Sequence, residues 1–478
     1  MGSIRDPRRR ARATQILGSM VLCCLLAACS SAPLRPEAAQ GPLRVSAENP
    51  RYFSDDRGNI VYLAGFHTWR NLQDLVVPGG ISAFDYPGYL DFLVGHHLNF
   101  FRLWRQEEAF SDPLPYQRTG PGLALDGKLR FDLDQPNPAF YTRLSRRVAE
   151  AERRGLYVAV MLFQGWSIER KDPKRHDDPW AMHPFHRANN VNGVDGDRDR
   201  DGEGKETHTT GDPALLARQV AFARRVVDAV NAYDNVLYEI ANESTAESMQ
   251  WQESLVRAIH EYEATKPKRH PVIVTAPWGN RIEDLWASKA EAVSPGLPIP
   301  GMDEYPYRED PPANDGRKVI INDTDHLWGV GGTRAWVWQS FMRGLNPIYM
   351  DPYSSEVWPT LYESVRETRD QVVQAMGQTR MVSGLIPLAR MAPREDLCSS
   401  RYCLVDPGRS YALFVPAPTG GDRSSVTVEL AQAAGMFDVR WLNLDADEWI
   451  SETRRLPGGT VTFTAPFAGE AVLLLLSR

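Results

Sequence analysis

The 478-residue sequence predicts an α/β fold, a (β/α)8 TIM barrel followed by a small antiparallel β-sandwich. Three observations carry that prediction. Short apolar runs recur eight times, with helical stretches between them. These runs do not alternate apolar with polar, as befits strands of a parallel sheet buried on both faces. After about residue 380 the texture changes to short alternating runs divided by glycine turns. A doubly wound open sheet competes with the barrel, but no glycine-rich phosphate loop follows the first run.

Taken in order, residues 1–28 are leader rather than fold. Arg5, Arg8, Arg9, Arg10 and Arg12 precede the apolar stretch Ile16–Ala28, which is too short to span a bilayer as a mature helix. The leader ends Leu26-Ala27-Ala28-Cys29, which resembles a bacterial lipobox. That resemblance implies a lipid on Cys29 and, with Ser30 next, a place in the cell envelope at the outer membrane. Residues 29–42, rich in Ala, Pro and Ser, read as a tether. The barrel is expected over 43–380. Its strand candidates are Ile60–Gly65, Leu98–Trp104, Leu156–Phe163, Val236–Ala241, Val272–Thr275, Ala290–Val293, Val319–Ile321 and Ile348–Met350. Helices are expected at Asn137–Arg154, Pro213–Asn231 and Glu247–Thr265. The sandwich is expected over 381–478, with strands at Tyr411–Val415, Ser425–Leu430, Phe437–Leu442, Val461–Thr464 and Ala471–Leu476.

Composition narrows the partners. The chain carries a net charge of −7, and removing a leader with five Arg and one Asp leaves −11. That balance excludes nucleic acid and an electrostatic membrane patch as partners. Membrane contact is then through the lipid alone, and the protein is expected to be a monomer. Cys23 and Cys24 leave with the leader. Cys398 and Cys403 remain, and in an oxidising compartment they are expected to form a local disulfide.

Barrels build their sites at the C-terminal ends of strands. Read in order, those ends offer His67 and Trp69; Arg102, Trp104 and Arg105; Gln164 and Trp166; Asn242 and Glu243; Trp278; Asp323, Asp325 and His326; and Asp351. The most informative is Val236-Leu-Tyr-Glu-Ile-Ala-Asn-Glu243, an apolar strand that stops on an amide and a carboxylate. Glu239, four residues back, reads as a buried structural acid. Trp69, Trp104, Trp166, Trp278 and Trp328 are candidate sugar platforms, and Tyr305 a further aromatic contact.

Asn242-Glu243 after Tyr238-Glu239-Ile240 resembles the Asn-Glu signature of clan A glycoside hydrolases, the cellulase-like barrels. Asn99-Phe-Phe-Arg-Leu-Trp104 is similar to their second strand, and Leu43–Trp69 to the opening of the apiosidase-like family. Tyr411-Ala-Leu-Phe, Val439-Arg-Trp-Leu-Asn and Gly469–Leu476 resemble the so-called collagen-binding-type sandwich that follows that family's barrel. The resemblance implies a retaining hydrolase acting on a poly- or oligosaccharide, with no cofactor required. One carboxylic acid protonates the leaving oxygen while a second carboxylate, about 5–5.5 Å away, attacks the anomeric carbon. It implies Glu243 as acid/base, Asn242 on the sugar 2-hydroxyl, and Arg102 beside the nucleophile. The clan ends strand seven in Glu, whereas Lys318-Val-Ile-Ile-Asn-Asp323 ends in Asp. Asp323 is the expected nucleophile, Asp325 its alternative, and Glu304 or Asp351 further candidates. An acid that activates water instead would make the enzyme inverting, with carboxyls about 6.5–9.5 Å apart. His67 supports the site and His326 orients one of the acids. The departure from Glu keeps a second reading open, a non-catalytic glycan-binding lipoprotein. A sandwich that binds protein is a third.

A polar insertion, 167–212, follows the third strand. Its Asp197, Asp199, Asp201 and Gly202 fit positions 1, 3, 5 and 6 of a calcium loop. Position 12 is His208 in place of the usual Glu. The pattern allows a structural Ca2+ that stiffens a lid, or a solvated acidic turn. His183 and His186 in the same insertion read equally as groups reaching the substrate or as loop surface.

Overall fold

The computed structural model describes residues 40–478, apart from 78–79, 170–177, 280–281, 297–304, 357, 419 and 431–433. The leader, Cys29, most of the tether and Glu304 lie outside the described residues. Eight parallel strands close into a barrel. They are β1 (Gly65–His67), β2 (Phe100–Leu103), β3 (Tyr157–Gln164), β4 (Val236–Asn242), β5 (Val272–Thr275), β6 (Ala292–Ser294), β7 (Val319–Asp323) and β8 (Asn346–Met350). The ring shuts where β8 returns to β1, with Ile348 beside Gly65 and Met350 beside His67.

Around the strands run helices α1 (Tyr86–Gly95), α2 (Pro138–Glu152), α3 (Pro213–Val230), α4 (Met249–Glu263), α5 (Pro306–Glu309), α6 (Arg334–Met342) and α7 (Pro359–Ser383). Local chemistry sets the starts of α2 and α3. The Asn137 side chain accepts from the Ala139 N–H, and Asp212 accepts from those of Ala214 and Leu215; proline opens each helix. Helix α7 runs to Ser383, past the expected boundary at 380.

One expected strand is displaced. The barrel strand begins at Gly65, not Ile60. Ile60-Val61 instead pairs antiparallel with Phe53-Ser54, which pairs in turn with Arg44-Val45. This small sheet seals the barrel's N-terminal end: Leu43, Phe53 and Val61 pack against Phe100, Ala159, Leu237 and Ile321. Gly65 is required where β1 meets β2, since a Cβ there would lie 2.1 Å from the Phe100 carbonyl oxygen.

At the opposite end, two unforeseen additions crowd the mouth. Asp74–Val77, Gly80–Ser82 and Ser111-Asp112 form a three-stranded sheet, and Tyr116–Leu123 pairs with Leu129–Pro136 in a hairpin.

The C-terminal strands are β9 (Cys403–Asp406), β10 (Ser410–Val415), β11 (Arg423–Glu429), β12 (Gly435–Asn443), β13 (Glu448–Leu456), β14 (Thr460–Ala468) and β15 (Ala471–Ser477). A six-stranded antiparallel sheet runs Ala392-Pro393, β9, β10, β15, β12, β13, while β11 pairs with β14. Side chains alternate between the sheet's faces. Ala412, Phe414, Val472 and Leu474 join the core of the barrel's helices. Leu413, Leu473 and Leu475 face Val426, Val428 and Phe463. Arg334 of α6 ties the two parts through Asp445 at 2.7 Å and Glu470 at 2.8 Å. Cys398 and Cys403 form a disulfide. Among the described residues, no helix is long and apolar enough to cross a membrane.

Candidate active site

Beneath the barrel mouth lies a layer of charge. Arg102 on β2, His67 on β1, Glu239 on β4 and Asp323 on β7 are all buried. A guanidinium out of water needs a partner for each of its five donors. Arg102 has them. Nε donates to Glu239 Oε2 at 2.8 Å and Nη2 to Glu239 Oε1. Nη2 also donates to Asn242 Oδ1 at 2.7 Å. Nη1 donates to Asp323 Oδ2 at 3.0 Å and to Asp325 Oδ2 at 3.1 Å. Burial works against the charge on Arg102, but the carboxylates of Glu239 and Asp323 outweigh it and hold the group protonated more firmly than usual.

Asp323 is enclosed in this layer. Its Oδ1 accepts from His67 Nε2 at 3.1 Å and from the Asp325 backbone N–H at 2.9 Å. Burial alone would raise its carboxyl; His67 and Arg102 reverse that and hold it below the usual carboxylate range. His67 stacks on Trp104, with ring centroids 5.3 Å apart.

Asn242 is likewise buried, and its amide is engaged on three sides. Oδ1 accepts from Arg102 and from His326 Nε2 at 2.9 Å, and Nδ2 donates to Gln164 Oε1 at 3.0 Å. His326 Nδ1 in turn accepts from Ser294 Oγ at 3.0 Å. Burial depresses His326 to about 3, which keeps the ring neutral at physiological pH.

Above this layer opens a cavity of about 650 Å3. Glu243 and Asp325 both line it, with Trp69, Trp104, Trp166 and Gln164. Glu243 is half-buried and sits at φ +46°, a left-handed conformation costly for a side-chain-bearing residue. Gly165, just after β3, makes room for it. A Cβ on Gly165 would lie 1.9 Å from the Glu243 carbonyl oxygen. Asp325 is raised well above the carboxylate range, by burial first and then by the charge of Glu243; Arg102 pulls the other way. The two acids therefore resist being ionised together.

The structure separates the candidates named from sequence. Trp278 is 41% exposed on the rim, in a small recess shared with Glu243 and His326. Trp328 and Tyr305 do not line the main cavity: Trp328 packs edge-on against Trp336, and Arg308 covers the Tyr305 ring. Asp351 is buried and accepts the N–H groups of Trp69 and Tyr353, both at 2.7 Å. His183 is committed to Glu107 at 3.2 Å, which also pairs with Arg105 at 3.0 Å, and His186 caps the turn at Ala188. None of these three lines the cavity. Trp358, edge-on to Trp69 at 4.7 Å, lines it and was not anticipated.

The acidic loop folds differently from its sequence pattern. Asp197, Asp199 and Glu206 bring carboxylate oxygens within 4.8 Å of one another. Asp201 is outside that group and accepts the Glu203 N–H at 2.8 Å. His208 turns inward, stacked on Trp251 at 4.1 Å, and supplies no ligand to the loop.

No family model matches the chain, and no curated protein does. Solved structures do. A Bacteroides vulgatus protein provisionally named a glycoside hydrolase is 14% identical with a TM-score of 0.61, over 92% of this chain and 83% of its own. A glycoside hydrolase family 5 protein of the same organism is 11% identical with a TM-score of 0.57, over 91% and 94%. Another glycoside hydrolase is 11% identical with a TM-score of 0.53, over 92% and 97%. At these identities the likeness is one of fold, and it extends along nearly the whole chain.

Proposed function

We propose that the protein is a glycoside hydrolase acting on O-glycosidic bonds of a poly- or oligosaccharide by a retaining, two-carboxylate mechanism. Glu243 is the acid/base and Asp325 the nucleophile, in place of the Asp323 favoured from sequence. The observation that carries this reading is that Glu243 and Asp325 line one cavity while Asp323 is enclosed by Arg102 and His67. Trp69, Trp104 and Trp166 line the cavity as indoles suited to pyranose C–H groups, and Gln164 adds a polar amide.

The chemistry follows from the shared proton. Glu243 and Asp325 resist carrying two charges: burial and Glu243 push Asp325 toward protonation, and the Arg102 bond to Asp325 opposes that push. The arrangement that reacts is the one with the proton on Glu243 and Asp325 charged. Asp325 then attacks the anomeric carbon as the bond to the leaving oxygen breaks, and Glu243 gives its proton to that oxygen. In the second half, Glu243 takes a proton from water, the water oxygen displaces the ester, and Asp325 is freed. Arg102 orients Asp325 throughout.

The test is a panel of aryl glycosides and polysaccharides with wild type, Glu243→Gln, Asp325→Asn and Asp323→Asn. Loss of turnover in Asp325→Asn, with azide restoring turnover to Asp325→Gly, supports the assignment. An Asp325→Asn enzyme that keeps full activity returns the nucleophile to Asp323. The lipid on Cys29, and with it the outer-membrane location, is part of the same proposal. Labelled palmitate should enter the full chain and not Cys29→Ser.

A further inference from the structure

Arg70 is left without a task by the reading above. It lines the cavity beside Leu75, Val76 and Trp358, and it is the single cation among the described lining residues. Its side chain is 3% exposed, so the guanidinium has lost nearly all its water. One nitrogen is anchored: Nη2 donates to the Ser82 carbonyl at 2.9 Å and to Ser82 Oγ at 2.7 Å. Nε is buried with no partner. Among the described residues, the one carboxylate paired with Nη1 is Glu356, at 3.6 Å and 59% exposed.

The contrast with Arg102 is instructive. There every donor is taken by a buried acceptor. At Arg70 a permanent charge is held at the cavity with donors to spare and, among the described residues, only a loose surface acid for company. A surface pair of that kind offsets little of the cost of burying a guanidinium. An incoming carboxylate could displace Glu356 and meet a donor group already fixed by Ser82.

We infer that Arg70 recognises a carboxylate on the substrate, so that the glycan processed here contains a uronic acid. For cleavage this rests on the hydrolase reading; for binding it does not.

The experiment uses polygalacturonate, glucuronoxylan and hyaluronan, each native and carboxyl-reduced, plus a sulfated neutral glycan. Wild type should act on at least one native form with a KM about ten- to hundredfold below that for its carboxyl-reduced form, the range of one charged hydrogen-bonded contact. Arg70→Gln should erase that discrimination by raising KM on the native form while kcat on the reduced form holds. Because Arg70→Gln also loses the Ser82 bonds, Glu356→Gln provides a second arm. It removes the competing carboxylate and should lower KM for the native form alone. Equal action on native and reduced forms, or a preference for the sulfated neutral glycan, overturns the inference while the hydrolase reading stands. Arg70-dependent binding of an acidic glycan by calorimetry without cleavage supports the inference and sinks the hydrolase reading.

Discussion

Four carboxylates enter the barrel from two neighbourhoods, and depth decides what each can do. Glu239 and Asp323 lie in the ionic layer, where Arg102 and His67 take up their oxygens. Glu243, four residues beyond Glu239, and Asp325, two beyond Asp323, face the cavity. In the lower pair, His67 and Arg102 hold Asp323 ionised, and Asp325 in the upper pair is pushed toward protonation by burial and by Glu243. Placement on one rung or the next thus separates an enclosed acid from one that faces the cavity, with no change of residue type.

The comparison can be broken most directly by removing one acid from each level. Glu243→Gln should cost about 100- to 10,000-fold in kcat on glycosides with poor leaving groups, the span of general acid catalysis, with little change in melting temperature. Asp323→Asn should do the reverse in kind. It weakens the charge balance around Arg102 and should cost about 3–5 kcal/mol in chemical denaturation, the range for breaking a buried ion pair. If Asp323→Asn were as stable as wild type and inactive, the two levels would have to be exchanged. Gly165→Ala sharpens the picture, since its new methyl would push the Glu243 backbone. A loss of about a hundredfold in kcat/KM with unchanged fold is expected from a displacement near 1 Å.

The pH dependence of stability should also divide the levels. Asp323 has its folded pKa below the unfolded value, so its stabilisation is present above about pH 3.9 and is lost as pH falls. Asp325 has its folded pKa above the unfolded value. The unfolded chain releases that proton first, so stability declines as pH rises from about 4 toward the folded pKa. Asp325→Asn should flatten that decline in urea titrations and become more stable than wild type near neutrality. The smallest effect concerns the acidic loop. If the Ca2+ proposal holds, with Asp197, Asp199 and Glu206 as ligands, chelator should lower the melting temperature by a few degrees and Glu206→Gln should abolish the response. A melting temperature indifferent to chelator would remove the ion from consideration.

Much of the barrel could be read from the chain because seven of its strands are apolar runs with polar ends. The first could not, since Ile60–Gly65 is one apolar run that serves two units. Its start plugs the barrel and its end enters the ring, and hydrophobicity does not mark the join. Asp323 and Asp325 were both nominated, but their order was not legible. Which of two acids two residues apart is enclosed depends on His67 and Arg102, from distant strands. Gly165 and Arg70 were missed for related reasons. A glycine's role in giving way to a backbone from another loop, or the lack of a partner for one nitrogen of an arginine, exists only once the chain is folded. In the loop, Asp-x-Asp-x-Asp-Gly marked two of three grouped acids, while Glu206 falls outside the standard spacing.

The small sheet at 44–61 seals the barrel pole opposite the cavity. The polypeptide therefore enters the domain from behind, and the cleft is the far side of the molecule from that entry.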